Sequence, residues 1–331
     1  MKTIVSIFLA FTLLTSCQKG NGTETKMTVD HNTVINQNLN IIISPDISNR
    51  ISPLYPKPLN DIEIINKVMD MYFPFLYRSG NRAIGQKDKI LVQLTNPQLV
   101  STYHINTNPL EINMSKMSND ERIKYLTDSV QSISYHNDKI SLINEVKKTY
   151  EKALENTVGA DIYGLFNNHL NENIVLKDEQ PKTMYGKTVI NKNRNILILL
   201  TDGYIEAGLY GKPAEGNRYF YLDNDIIIKF RKEFLSSGEK DMKKFFTENN
   251  YGIMPVKNEA LKDLEVFAIE FYDRSLSKKS GNNTVRPDDF EIIKLFWEDW
   301  LTKSGVKRYK IYERFASLNE FERAFRNFIG K

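Results

Sequence analysis

Continuous apolar runs recur along the chain, and each has the length of a single strand. They lie at 39–44, 89–94, 195–200 and 264–271, with a shorter run at 308–312. Short runs of aliphatic and β-branched residues are typical of strands that are covered on both faces of a sheet. The pattern therefore predicts a sheet whose central strands are buried on both sides.

Helical patterns separate these runs. Three of them begin with an N-cap residue and a glutamate three positions later, a capping-box signature: Asn60 with Glu63, Ser118 with Glu121, and Ser317 with Glu320. The second is expected to continue to about 156, with a break near 136–138. A further helix should start near Pro287 and end before Gly305, with a core-facing stripe made of Phe290, Ile293, Phe296, Trp297 and Trp300.

The order of these elements predicts the fold class. Strands alternate with helices from 39 to 331, an order that is typical of an α/β fold with a doubly wound, mainly parallel sheet. We expect helices on both faces of that sheet, which makes a three-layer sandwich. The irregular segments at 96–118, 172–190 and 204–220 are expected to be polar loops inserted between the elements.

The N-terminal segment has the pattern of an export signal. Lys2 is followed by an apolar run from Ile4 to Leu14, which is too short to span a bilayer and fits a signal peptide. Residues 14–17, Leu-Thr-Ser-Cys, resemble a bacterial lipobox, which implies lipidation of Cys17. The alternative is an ordinary signal peptide with a chance cysteine.

The same resemblance sets the expected domain boundaries and location. We expect a signal peptide at 1–16, a polar tether at 17–37 and an α/β domain at 38–331. Gln18 follows the cysteine, where an aspartate is associated with retention at the inner membrane. The expected location is therefore the cell envelope, with the lipid on Cys17 in the outer membrane if the cell has one.

Charge and cysteine content exclude several classes of function. Lysine and arginine total 45 and aspartate and glutamate 41, a net charge of +4 without a dense basic run. This balance argues against a nucleic-acid partner. Cys17 is the single cysteine of the chain, so neither an intrachain disulfide nor a Cys/His zinc framework can form.

Acidic and hydroxyl side chains follow two of the predicted strands, and a third group precedes a short predicted helix. In an open parallel sheet the ligand site lies beyond the carboxyl ends of the strands, so these groups are the candidate site. They are Asp46 and Ser48 after the first strand, Gly159, Ala160 and Asp161 before the helix, and Thr201, Asp202 and Gly203 after the run at 195–200.

These three motifs, "PDISNRI", "TVGADIYGLF" and "ILILLTDG", occur in the order found in von Willebrand factor A domains, which the chain resembles over about 39–331. The resemblance implies a metal-ion-dependent adhesion site for Mg²⁺, or alternatively Mn²⁺ or Ca²⁺. Asp46, Ser48 and Asp202 match its ligand positions. Ala160 stands at the position of the turn threonine, and the neighbouring Asp161 is the candidate to replace that ligand.

Arg50 departs from the family pattern, because it stands where a second serine is expected. Two carboxylates about 4 Å apart repel by about 4 kcal/mol at an effective dielectric constant near 20. The positive charge that offsets this repulsion between Asp46 and Asp202 is expected to be a divalent ion or the Arg50 guanidinium. The alternative is that these aspartates are only turn and N-cap residues.

Three functions remain open at this point. The first is a lipid-anchored module for adhesion or assembly in the cell envelope, which coordinates an acidic group of a protein or surface ligand through the metal. The second is a metal-free, degenerate version of the same domain that docks envelope proteins. The third is a metal-assisted hydrolase. We expect no enzyme activity, since the chain has neither a Gly-x-Ser-x-Gly elbow nor a glycine-rich phosphate loop.

Overall fold

A computed structural model describes most of the chain after the predicted export signal. The described residues are 33–53, 57–78, 86–96, 98–155, 159–184, 186–206, 208, 214–277 and 279–330. Cys17, the predicted signal peptide and the first part of the predicted tether lie outside them. Within the described residues, no helix has both the length and the apolar character needed to cross a membrane.

Two sheets are present in the described part of the chain. The main sheet has seven strands in the order β10-β9-β5-β1-β2-β3, with β4 beside β5. Its strands are β1 (Thr33–Pro45), β2 (Lys89–Val92), β3 (Glu111–Asn113), β4 (Lys182–Met184), β5 (Lys187–Leu200), β9 (Leu264–Phe271) and β10 (Arg308–Glu313). The small sheet comprises β6 (Ala214–Glu215), β7 (Arg218–Tyr219) and β8 (Gly252–Ile253).

The pairing of the strands confirms the predicted fold class. β2, β1, β5, β9 and β10 run parallel, and the short strands β3 and β4 pair antiparallel with β2 and β5. The helices that cover the sheet are α1 (Asp61–Met71), α2 (Gln98–Thr102), α3 (Asn119–Thr127), α4 (Tyr135–Glu155), α5 (Ile162–Gly164), α6 (Asn224–Ser237), α7 (Met242–Glu248), α8 (Asp289–Lys303) and α9 (Leu318–Ile329).

Side chains of the central strands alternate between two hydrophobic cores. Ile41 and Ile43 of β1 pack into a core with α1, α4 and α9, whereas Ile42 packs into a second core with α6, α7 and α8. Successive residues of a strand point to opposite faces of the sheet, so a continuous apolar run fills both cores. The result is a mainly parallel sheet between two helical layers, as predicted.

Most helix boundaries follow the predicted signals. Asn60 and Ser118 form capping boxes at the starts of α1 and α3, and Gly330 ends α9 in a left-handed conformation. The predicted break at 136–138 is wrong, because the chain breaks at 128–134 and α4 begins at Tyr135. Helices α6 and α7 had no counterpart in the sequence prediction. The predicted stripe on α8 is in the core, with Trp297 and Trp300 fully buried.

The first strand begins earlier than predicted. Residues 33–37 were assigned to the tether, but they pair with β5 from Thr188 onward. Asparagine side chains bridge the two strands at three successive inward positions: Asn36 with Asn191, Asn38 with Asn193, and Asn40 with Asn195. A ladder of amide pairs replaces apolar contacts there, which is why a hydrophobicity pattern did not reveal the strand.

The innermost pair of this ladder has the densest hydrogen bonding. The Asn195 carboxamide oxygen accepts from Asn40 Nδ2 at 2.7 Å and from the Leu176 amide at 2.8 Å. Its Nδ2 donates to the Leu176 carbonyl at 2.9 Å and to the Asp263 carbonyl at 3.2 Å. Because Asn195 is fully buried, water cannot replace these partners.

Replacing Asn195 by alanine is therefore expected to lower the free energy of unfolding by about 3 kcal/mol or more, since each buried group left unpaired costs about 1–3 kcal/mol. The half-buried Asn193 is the matched control on the same strand, and Asn193→Ala should cost clearly less because water reaches its partners. Chemical denaturation of both variants measures the difference, and equal losses would contradict the assigned role of burial.

Candidate functional site

The carboxyl ends of β1 and β5 meet in a polar cleft of about 210 Å³. The two strands pair in register up to Pro45 opposite Leu200, so Asp46 and Thr201 leave the sheet side by side. The Asp46 amide continues the ladder by donating to the Leu200 carbonyl at 2.8 Å. Three of the predicted site residues, Asp46, Ser48 and Asp202, line this cleft together with Arg50, Ala160 and Arg274.

Asp46 is buried at the base of the cleft, with 1% of its surface exposed. Its Oδ1 accepts from the Ser48 amide at 3.0 Å, and its Oδ2 accepts from the Thr201 hydroxyl at 2.9 Å. Burial raises the pKa of the Asp46 carboxyl, the Arg50 charge lowers it, and the Asp202 charge raises it again. The electrostatic influence of Asp202 on Asp46 supports the expectation that the two acids lie close together.

Arg50 bridges three elements of the fold behind the cleft. It lies in a short 3₁₀ turn (Asn49–Ile51) that follows β1, and only 3% of it is exposed. Its Nη2 donates to Asp61 Oδ2 at 2.5 Å and to the Leu200 carbonyl at 2.7 Å, whereas its Nε lies 3.7 Å from Asp46 Oδ2. Arg50 thus contacts Asp46 as predicted, but its closest partner is an acid on α1.

Asp61 was not among the predicted site residues. It occupies the first turn of α1, where an acidic residue is usually explained by the helix dipole. In the folded chain it accepts hydrogen bonds from Lys57 at 2.9 Å and from the Tyr150 hydroxyl at 2.6 Å in addition to Arg50. Burial alone would raise the pKa of Asp61, but Arg50 and Lys57 lower it to about 2.

Asp202 is held by a different arginine. Arg274, three residues beyond the end of β9, donates to Asp202 Oδ2 at 3.0 Å and also pairs with Glu206. Its guanidinium carbon lies 3.7 Å from the centre of the Tyr204 ring, a cation–π contact. The sequence carried a signal for Arg274, because it follows a third buried strand and should reach the same rim. The predicted site, in contrast, drew on the ends of two strands only.

The predicted ligand Asp161 has another role in the described structure. Its side chain accepts from the Gly164 amide at 2.7 Å and so caps the short helix α5. Gly159 and Ala160 line the cleft, but Asp161 is not among its lining residues. The resemblance predicts that Asp161 takes the place of the turn threonine as a metal ligand. The hydrogen bond from the Gly164 amide to Asp161 does not support that role.

The cleft residues fit a divalent ion poorly. Both oxygens of Asp46 already accept hydrogen bonds, and Arg50 and Arg274 bring positive charge to Asp46 and Asp202. Within the described residues there is no group of three or more His, Cys, Asp or Glu side chains that could hold a metal. Binding of Mg²⁺, Mn²⁺ or Ca²⁺ therefore stays a prediction, and the ion pairs of Asp46 and Asp202 do not favour it.

Neither the models of known protein families nor the curated proteins contain a match to this chain. The fold and the site therefore define a class of architecture. The chain is an α/β domain with a mostly parallel sheet and a charged cleft at the carboxyl ends of its strands.

The Arg50–Asp61 pair should dominate the stability of the cleft. In Asp61→Asn, Arg50 and Lys57 lose their shared counter-charge in a buried site, so the free energy of unfolding should fall by about 3–5 kcal/mol. Asp225→Asn is the matched control, because Asp225 is an exposed acid in the first turn of α6, and it should cost less than about 1 kcal/mol.

The same pair has a defined pH dependence. The pKa of Asp61 is lower in the folded chain than its usual value of 3.8, so its contribution is present above that value and is lost as the pH falls toward 2. Chemical denaturation of wild type and Asp61→Asn at pH values from about 5 down to about 2 measures this contribution to the free energy of unfolding. An undiminished difference between the two proteins at pH 2 would contradict the assignment.

Proposed function

We propose that the chain is a lipid-anchored, von Willebrand factor A-like module of the cell envelope whose cleft docks a partner protein without a metal ion. The observation that carries this proposal is the pairing of both candidate metal-binding acids with arginines. Arg50 lies 3.7 Å from Asp46, and Arg274 lies 3.0 Å from Asp202. These guanidinium groups supply the positive charge that the family site obtains from its metal.

The Arg50 charge imposes a cost on a bound metal ion that the serine of the family pattern would not impose. Arg50 and Asp46 attract each other by about 4 kcal/mol at an effective dielectric constant of 20. A divalent ion roughly 5 Å from the Arg50 charge would be repelled by roughly 7 kcal/mol on the same scale. Arg50 is buried and held by Asp61, so it cannot swing away to make room for an ion at low cost.

The size of the cleft favours a protein partner over a free small molecule. Its volume of about 210 Å³ is smaller than the roughly 300–1,000 Å³ of typical small-molecule sites. A single polar side chain from a docked surface would fill it. At the cleft, Asn49 is exposed and Glu206 is half-exposed, so both are accessible for hydrogen bonds to such a surface.

The position of the cleft is consistent with presentation away from a membrane. β1 runs for 13 residues from Thr33, the side on which a Cys17 anchor would join, to Pro45 at the cleft. A strand of this length spans about 40 Å. The anchor and the cleft would therefore lie at opposite ends of the sheet, which leaves the cleft free to meet another envelope protein.

Calorimetric titration tests the metal-free claim. Wild-type protein should give no saturable heat with Mg²⁺, Mn²⁺ or Ca²⁺, and its thermal midpoint should be the same with these ions and with EDTA. Saturable binding that disappears in Asp202→Ala but persists in the exposed control Asp225→Ala would replace our proposal with the metal-dependent adhesion site.

The lipid anchor is tested separately. Wild-type protein expressed with its native N-terminus should incorporate labelled fatty acid and sediment with membranes. Cys17→Ala should do neither, whereas Ser16→Ala, at the neighbouring position, should keep both properties. Wild-type protein that carries no label would leave the domain as a binding module without the proposed anchor.

A further inference from the structure

Glu270 has an unusual backbone conformation for a strand residue. Its φ angle is +74°, in the left-handed region that non-glycine residues seldom adopt. The residue lies near the carboxyl end of β9, where the register with β10 shifts between Ile311 and Glu313. This irregularity is a β-bulge, and the strained conformation at Glu270 costs about 1–3 kcal/mol.

The Glu270 side chain is also unusual in its surroundings. It is 1% exposed, and neither carboxyl oxygen has a hydrogen-bond partner among the described residues. A buried carboxylate without hydrogen bonds is strongly disfavoured, and such a group generally takes up a proton. Packing alone does not explain why Glu270 combines a strained backbone with a buried carboxyl that has no hydrogen bond.

Charged groups from four neighbouring segments act on this carboxyl. They are Arg50 from the turn after β1, Lys57 from the segment before α1, Asp61 from α1, and Arg314 from the residues after β10. Burial and the Asp61 charge raise the pKa of Glu270 to about 7, although Lys57, Arg50 and Arg314 act to lower it. Glu270 therefore changes charge close to neutral pH.

Two of these neighbours connect Glu270 to the cleft. Arg50 contacts Asp46, and the Arg314 charge interacts with both Glu270 and Asp202. The Nε atom of Arg50 is buried without a hydrogen-bond partner in the described part of the chain, so it can respond to a new negative charge. A change of charge at Glu270 thus reaches both cleft acids through one arginine each.

We propose that Glu270 is a proton-binding positioning residue that controls the charge and order of the cleft. When Glu270 is protonated, Arg50 and Arg314 act on Asp46, Asp61 and Asp202, and the cleft is in its ordered form. When Glu270 loses its proton, it competes for the same arginines and loosens the turn that carries Asp46 and Ser48. This inference extends the proposed docking function, which would then be favoured below neutral pH.

Hydrogen exchange of the full chain tests this coupling without any partner. Amides in 46–51 should exchange faster in wild type than in Glu270→Gln at about pH 8, by on the order of tenfold. At about pH 5.5 the two proteins should match, because both then carry a neutral side chain. The thermal midpoint of wild type should fall relative to that of Glu270→Gln as the pH rises from about 4.5 to about 7, because the pKa of Glu270 in the folded chain lies above its usual value. The exposed control Glu259→Gln should behave as wild type at both pH values.

Infrared titration adds a direct readout of the proton. Wild type should show a protonated-carboxyl absorption that disappears near pH 7 and is absent from Glu270→Gln. Arg314→Gln should move the disappearance to higher pH, because the Arg314 charge lowers the pKa of Glu270. Since Arg314 is only half-buried, this variant keeps the test decisive if Glu270→Gln does not fold.

Loss of the absorption by pH 5.5, or equal exchange differences at both pH values, would overturn the inference. Neither measurement involves the partner or the lipid. Failure of the docking proposal would therefore leave the titration of Glu270 unchanged, and failure of the titration would leave the metal and lipid tests of the proposed function unchanged.

Discussion

The interactions of the buried Arg50 guanidinium join the segments that meet at the carboxyl end of the sheet. It donates to the last carbonyl of β5 and to Asp61 at the start of α1, and it lies beside Asp46 at the end of β1. Three separate elements therefore share one buried cation. Removing a partner from such a group leaves an uncompensated buried charge, which is far costlier than the loss of a surface ion pair.

Around this contact the fold assembles a balanced set of charges. Arg274 holds Asp202 and Glu206 at the rim, while Lys57 and the Tyr150 hydroxyl complete the shell of Asp61. The acids that resemble metal ligands are thus neutralised by side chains of the chain itself. Within the residues described, Glu270 is the acid of this region that has no hydrogen-bond partner, which makes it the place where a proton can change the balance.

The two hydrophobic cores explain why this polar region remains well defined. The strands are buried on both faces, so packing holds them in register up to the residues that Arg50 and its partners then join beyond the strand ends. Asp46 and Thr201 are brought within 2.9 Å because β1 and β5 pair in register to their last residues. The apolar runs thereby fix the geometry of the site, although they contribute no polar atom to it.

Much of the architecture could be predicted from local pattern. Apolar runs locate β9 to the residue, and capping boxes at Asn60 and Ser118 locate the starts of α1 and α3, because burial and capping act over a few neighbouring positions. Strand order then brings Asp46 and Asp202 to one rim. The ladder that begins β1 was missed because its asparagines pair across strands, a contact that hydrophobicity does not encode.

The sequence alone determined that Asp46 and Asp202 reach one rim of the sheet, because the carboxyl ends of parallel strands must lie together. It did not determine which cations meet them. Asp61 lies 11 residues after Arg50, whereas Arg274 lies 72 residues after Asp202. These pairings depend on how α1 packs on the sheet and where the chain turns after β9. Only the tertiary structure decides them, because ion pairs form between atoms that are close in space, whatever their separation in sequence.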